Sequence, residues 1–294
     1  MKSSRANLAA LALALFPAIL WNLAGMPARA LPAETQQKSA PPLPDIPQLM
    51  REVMQHQKQL EKVQENYTYS SVQTTEELDS KDKVKKTGTE EREVFYVNGQ
   101  SVTRLVKKDG QPLSGHGLDK ENERVTKEVE KAAKPAKPDD GQKLSISRLL
   151  EIIEVSNPRR ENYRGRPTIL FDFAGRKNAK THGMAEDALK KLHGTIWVDE
   201  ADRQVAHCDA IFGDNFHVAG GLLANIEKGS SIRLDQAPVN GEIWLPDGQQ
   251  FFIQARVLLA IKGRIRITER DYDYKRFHVE TQQGKDAKAV PGKP

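Results

Sequence analysis

Seven histidines, at positions 56, 116, 182, 193, 207, 217 and 278, are the first side chains to test for metal or acid–base chemistry. None stands in a His-Glu-x-x-His helix or an equivalent ligand spacing. His207 and His217 flank an expected hairpin with Asp209 and Asp214 beside them, which admits a metal site but suits turn and surface residues better. Asp199-Glu200 with Asp202 offers paired carboxylates for proton transfer. They fall between two strand-like runs, however, where the same residues make a hairpin turn. Gly-x-Ser-x-Gly is absent, so no nucleophile elbow is spelled out. Gly220-Gly221 and Gly229-Ser230-Ser231 bracket a short apolar run without the strand-to-helix pattern of a phosphate loop, and read as a connection. Cys208, the one cysteine, lies in an apolar run; it can form no internal disulfide and reads as a small packing residue. Two basic groups remain: Arg159, Arg160, Arg164 and Arg166 around Glu161, and Lys262 with Arg264 and Arg266. They suit anionic headgroups or an acidic partner, or the protection of strand edges by charge. No catalytic motif emerges.

The elements that position these residues follow from periodicity. Asp45 can cap a helix over 46–63, where Ile46, Leu49, Met50, Val53, Met54, Leu60 and Val63 recur at three- and four-residue spacing, interrupted at Gln57. Tyr67 and Tyr69, then Val94 and Tyr96, alternate with residues of the other face. Asn98-Gly99 joins strands 92–97 and 101–107 in a hairpin. The charged stretch 118–141 reads as a solvated, partly helical insertion. A second amphipathic helix starts at Ser145 or Ser147, carries Leu149, Leu150, Ile152, Ile153 and Val155, and stops at Asn157-Pro158. A short helical pattern covers 184–192. Strands are expected at 194–199, 204–212, 231–235, 241–245, 250–260 and 264–274, with Pro246-Asp247-Gly248 and Lys262-Gly263 among the turns. The fold class is α+β, mainly antiparallel β, in one domain over 45–278. A sheet of this size curls, and its concave side is the natural partner for the apolar helix faces.

The first thirty residues are of another kind. Lys2 and Arg5, an apolar run over 8–23 and Ala28-Arg29-Ala30 read as an export leader cut after Ala30. No cysteine lies near the cut to carry a lipid anchor, so the expected product is a soluble periplasmic protein. Residues 31–44 form a Pro-rich lead, and 279–294 a polar tail expected to be disordered. The leader holds three positive charges and no acid, which leaves +2 of the chain's +5. That near-balance speaks against nucleic acid as a partner.

The run from Gly194 to Asp199 (Gly-Thr-Ile-Trp-Val-Asp), followed by Gln204 to His207, resembles the outer-membrane lipoprotein-sorting (LolA-like) superfamily. So do Gly241 to Pro246 (Gly-Glu-Ile-Trp-Leu-Pro) and the closing Tyr272 to Phe277. The resemblance is best over 190–278; residues 66–108 share only the strand texture, and 118–141 is similar to an insertion. It implies a strongly curved, incomplete barrel covered by amphipathic helices, and non-covalent shelter of acyl chains of a lipid or lipoprotein. It implies no cofactor, no metal, no enzymatic step and a monomer. Alternate apolar positions supply the candidate lining: Trp197, Phe252, Leu258 and Ile265, or the opposite set Ile196, Phe251, Ile253 and Val257. Packing beneath the helices is the other reading of either set. The rival function on the same fold is an envelope-stress sensor or regulatory module that binds a protein partner. An enzyme with a dispersed site is the weakest alternative.

Overall fold

A computed structural model of the protein describes residues 41–134, 145–218, 224–257 and 261–277. The expected leader, all but the end of the Pro-rich lead, the expected tail and candidate Leu258 lie outside the described residues. The described elements belong to the unit Leu43–Pro294.

Helix α1 (Ile46–Gln64) begins where Asp45 accepts from Gln48 N at 2.7 Å, and it buries Leu49, Val53, Gln57 and Leu60 along one side. Strands β1 (Tyr67–Leu78), β2 (Val84–Val97), β3 (Gln100–Lys108) and the short β4 (Gln111–Pro112) follow as a meander. Asn98 (φ 49°) and Gly99 (φ 75°) make the β2–β3 turn. Next come α2 (Gly115–Ala132), α3 (Ile146–Ile152), β5 (Ile153–Tyr163), β6 (Arg166–Gly175), α4 (Met184–Leu189), β7 (Leu192–Asp199) and β8 (Val205–Phe212). The small strands β9 (Phe216–Val218) and β10 (Ala224–Ile226) precede β11 (Ser231–Val239), β12 (Ile243–Val257) and β13 (Ile261–Arg276). All described pairings are antiparallel, in the order β4-β3-β2-β1-β13-β12-β11-β8-β7-β6-β5. β4 and β5 stand at the two ends of this path, so the sheet is not closed into a barrel.

Two expectations are corrected. Pro246-Asp247-Gly248 does not end a strand: it is a bulge between Asp235 and Gln236 of the partner register, and β12 runs through it. Asn157 (φ 50°) and Pro158 likewise bulge within β5, so the second helix ends at Ile152 and the chain continues as a strand. The charged stretch after 118 contributes to α2, whose Val125, Val129 and Ala132 pack on Phe95, Val97 and Val102.

Cross-strand register assigns the faces. Ile169, Phe171 and Phe173 of β6, Ile196 and Val198 of β7, and Cys208 and Ala210 of β8 share one face, and there α1, α3 and α4 lay Leu49, Val53, Leu149, Leu150 and Leu189 on them. Cys208 is a packing residue in this core, with its thiol pushed up to about 12 by burial. Helix α2 lies on the opposite face, because Phe95 and Val102 alternate with Val94, which shares the face of Tyr69. No helix among the described residues is long and apolar enough to cross a membrane.

Candidate functional site

Register divides the candidate lining residues. Phe251 pairs with Ile267 and Ile253 with Ile265, and through Ile232 of β11 these four share the helix-bearing face with Ile196. Trp197 and Phe252 point the other way: Phe252 pairs with Arg266 and Ser231, and Trp197 with His207. The set Trp197, Phe252 and Ile265 is therefore not one surface. Within the second set Ile196 is fully buried under the helices, whereas Phe251 and Ile253 are half-buried. Val257 pairs along its backbone with Ile261.

Phe251, Ile253, Ile265 and Ile267 make an apolar strip on the helix-bearing face that belongs to none of the core clusters among the described residues. In the main core the cluster extends as far as Ile232 and Leu234 of β11. Leu60 of α1 packs with Trp244 near the start of β12, while Phe251 and Ile253 of β12 and Ile265 and Ile267 of β13 lie outside these clusters.

Along β13 that face reads Ile265, Ile267, Glu269, Asp271, passing from apolar to acidic within about 20 Å. Asp271 pairs with Ser71, whose hydroxyl donates to Glu269 at 2.8 Å. A bulge in β13, with Asp273 at φ 57°, brings Tyr274 against Tyr69, and the rings stack at 4.9 Å. Tyr96 is hydrogen-bonded to Tyr69, and Tyr274 donates to Pro246 O at 2.6 Å. Burial, reinforced by the neighbouring Glu269, pushes the Asp271 carboxyl up to about 7. Burial likewise pushes all three tyrosines above their ordinary range, so they are neutral. On the other side of these tyrosines a cleft of about 380 Å³ opens under the C-terminal half of α1, lined in part by Leu60, Val63, Tyr67, Ile243 and Trp244.

The remaining sequence candidates are held in structural contacts. Asp199 makes the expected hairpin turn, accepting from Ala201 N (3.0 Å), Asp202 N (2.8 Å) and Arg166 (2.5 Å). Arg159 meets Asp172, Arg160 meets Glu200, and Arg164 meets Asp235 and Asp247. Arg264 pairs with Asp82 and Arg266 with Glu76. His207 and His217 do not share a hairpin, since β8 pairs with β7 and β11, and β9 with β10. His207 stacks on Tyr163 at 4.8 Å and sits between Asp235 (2.8 Å) and Asp209 (3.3 Å), on the face opposite α1. Trp197 completes that cluster, its indole N–H directed at Glu161 at 3.3 Å. Among the described residues no group of three or more His, Cys, Asp or Glu is placed to hold a metal.

The fold is an open, mainly antiparallel sheet with helices over part of one face. Among solved structures the chain is similar to a LolA superfamily protein from Nitrosomonas europaea, at 9% identity and TM-score 0.35, over 77% of this chain and 94% of that one. It is similar to a DUF1329 family protein from Desulfovibrio piger, at 10% identity and TM-score 0.36, over 80% and 94%. It is also similar to a protein domain from Vibrio parahaemolyticus described as outer membrane lipoprotein-sorting, at 10% identity and TM-score 0.33, over 80% and 95%. At these identities and scores, nothing about ligand or partner passes from those proteins to this chain. No protein-family model matches the sequence, and no curated protein matches it.

Proposed function

We propose that the protein is a soluble envelope carrier that shelters an acyl chain of a lipid or lipoprotein on its helix-bearing face, without covalent chemistry. The observation that carries this reading is the strip Phe251, Ile253, Ile265 and Ile267. Its four apolar side chains stand in register on the core-forming face, half-buried and outside the core clusters found among the described residues. Each CH₂ taken from water onto such a strip contributes roughly 0.8 kcal/mol, so affinity needs a dry trough and no reactive group. The export leader read at 1–30 supports a location in the periplasm.

Lipid mass spectrometry under native conditions, on protein purified from its own envelope, tests the reading. Co-purifying lipid is expected. A lipid-free protein that also takes up no acyl chain when offered one contradicts it, and a stable protein partner captured by cross-linking would then favour the sensor function.

A further inference from the structure

Strand β3 has β2 on one side and only the two-residue β4 on the other. The Asn98-Gly99 turn makes Val97 and Gln100 a hydrogen-bonded pair. Along the ladder Val102 and Arg104 therefore turn their main-chain groups to β2, while Ser101, Thr103 and Leu105 turn theirs outward. β4 reaches Lys107 and Lys108, and among the described residues no strand pairs with the outer side of 101–105. Such a row of main-chain groups is a template for another strand.

Side chains of α2 occupy that row instead. The Leu105 N–H donates to Glu121 Oε1 at 2.7 Å, and Arg124 donates to the Thr103 carbonyl. The two side chains also hold each other, with Arg124 Nε donating to Glu121 Oε2 at 2.9 Å. Glu121 is 8% exposed, and Arg124 together with the Leu105 N–H holds its carboxyl below the usual carboxylate range, so it stays an ionised acceptor. A carboxylate and a guanidinium three residues apart on a helix thus supply the acceptor and the donor that a neighbouring backbone would supply.

This cover is lightly attached. Of the eighteen residues of α2 only Glu121, Val125 and Ala132 are buried, and its apolar contacts are those of Val125, Val129 and Ala132 with Phe95, Val97 and Val102. At its end Asn98 donates to the carbonyls of Ala132 (3.3 Å) and Ala133 (3.2 Å). Few buried apolar contacts place an element among the first to open.

What the bare edge fits is a second copy of itself. Antiparallel pairing centred on Thr103 sets Thr103 opposite Thr103, Ser101 opposite Leu105 and Val102 opposite Arg104. No charge then faces a like charge, and the groups released by Glu121 and Arg124 are the ones this ladder uses. We propose that the outer edge of β3 is a strand-docking surface for a second copy of this chain, held shut by α2, with Glu121 and Arg124 standing in for the absent strand. The carrier reading neither requires this surface nor depends on it.

Sedimentation velocity on a variant carrying Glu121→Ala and Arg124→Ala, with circular dichroism to establish folding, tests the inference. That variant is expected to self-associate at least about tenfold more tightly than the wild type. Val125→Asp, which undocks α2 while leaving Glu121 and Arg124 in place, should do the same and carries the test where the double variant does not fold. Adding Thr103→Pro to either should restore the wild-type state, because the nitrogen at 103 faces outward and proline there removes only the docking donor. Association that survives Thr103→Pro overturns the inference. A folded variant that associates no more than the wild type also overturns it; free exchange of its Leu105 amide would then assign the bare edge to a strand of another protein.

Discussion

On β6, Ile169, Phe171 and Phe173 lie beneath helices and are closed off from water; on β13, Ile265 and Ile267 share that face and are only half-buried. The same contrast holds for charge. Glu186, on α4, is met by Arg148, whose guanidinium holds it down at about 2, whereas Asp271, hydrogen-bonded to Ser71 and beside the acid Glu269, is pushed by burial up to about 7. One continuous antiparallel ladder thus carries a region covered by its own helices, with its buried acid met by an arginine, and an apolar strip on β12 and β13 that lies outside the core clusters of the described residues. Sheet edges and strand alternation do not distinguish the two. What covers the face does.

Truncations should break or sharpen that contrast most strongly. Phe171→Ala should cost about 3–5 kcal/mol in denaturant unfolding, while Phe251→Ala should cost about 1 kcal/mol or less, because its ring is not locked into a packed core. An equal cost would make Phe251 core and remove the trough.

Arg148→Ala should follow at about 3 kcal/mol, since it strands the buried Glu186 carboxylate. Because Glu186 is depressed from 4.5 to about 2, that stabilisation is complete above about pH 4.5 and fades as pH falls towards 2. The gap between variant and wild type in thermal melts should narrow over that window.

Asp271→Asn should act in the opposite direction and more gently. A carboxyl raised from 3.8 to about 7 binds its proton more tightly in the folded state, so it makes the protein lose stability as pH rises from about 4 to about 7. The substitution should raise the Tm by about 2–4 °C for each kcal/mol relieved at pH 8, and by less at pH 5. A lowered Tm at pH 8 would mean that the ionised acid is already paired.

Much of the scaffold was legible. The Asp45 cap and apolar spacing marked α1, Asn98-Gly99 marked the β2–β3 turn, and Asp199 to Asp202 marked the turn between β7 and β8. The bulges at Asn157-Pro158 and Asp247-Gly248 were read as breaks because Asn, Pro and Gly punctuate turns and bulges alike. In α2 the spacing of Val125, Val129 and Ala132 announced a docked helix, but the dense charge around them hid it. The candidate site was half legible. Alternation within β12 and within β13 was clear, but only the register between them sets Ile253, and not Phe252, beside Ile265. Asp271 carried no local signal, since its burial comes from β1 and from the bulge that returns Tyr274.

The central claim is that an acyl chain occupies the helix-bearing face and not the other. Phe251 and Phe252 are neighbours in sequence on opposite faces, so Phe251→Asp and Phe252→Asp form a matched pair. Binding of n-dodecanol to each folded variant, measured by calorimetry, tests the claim directly. The account predicts loss of binding in Phe251→Asp and near wild-type binding in Phe252→Asp; equal binding by the two, or loss in Phe252→Asp alone, would contradict it.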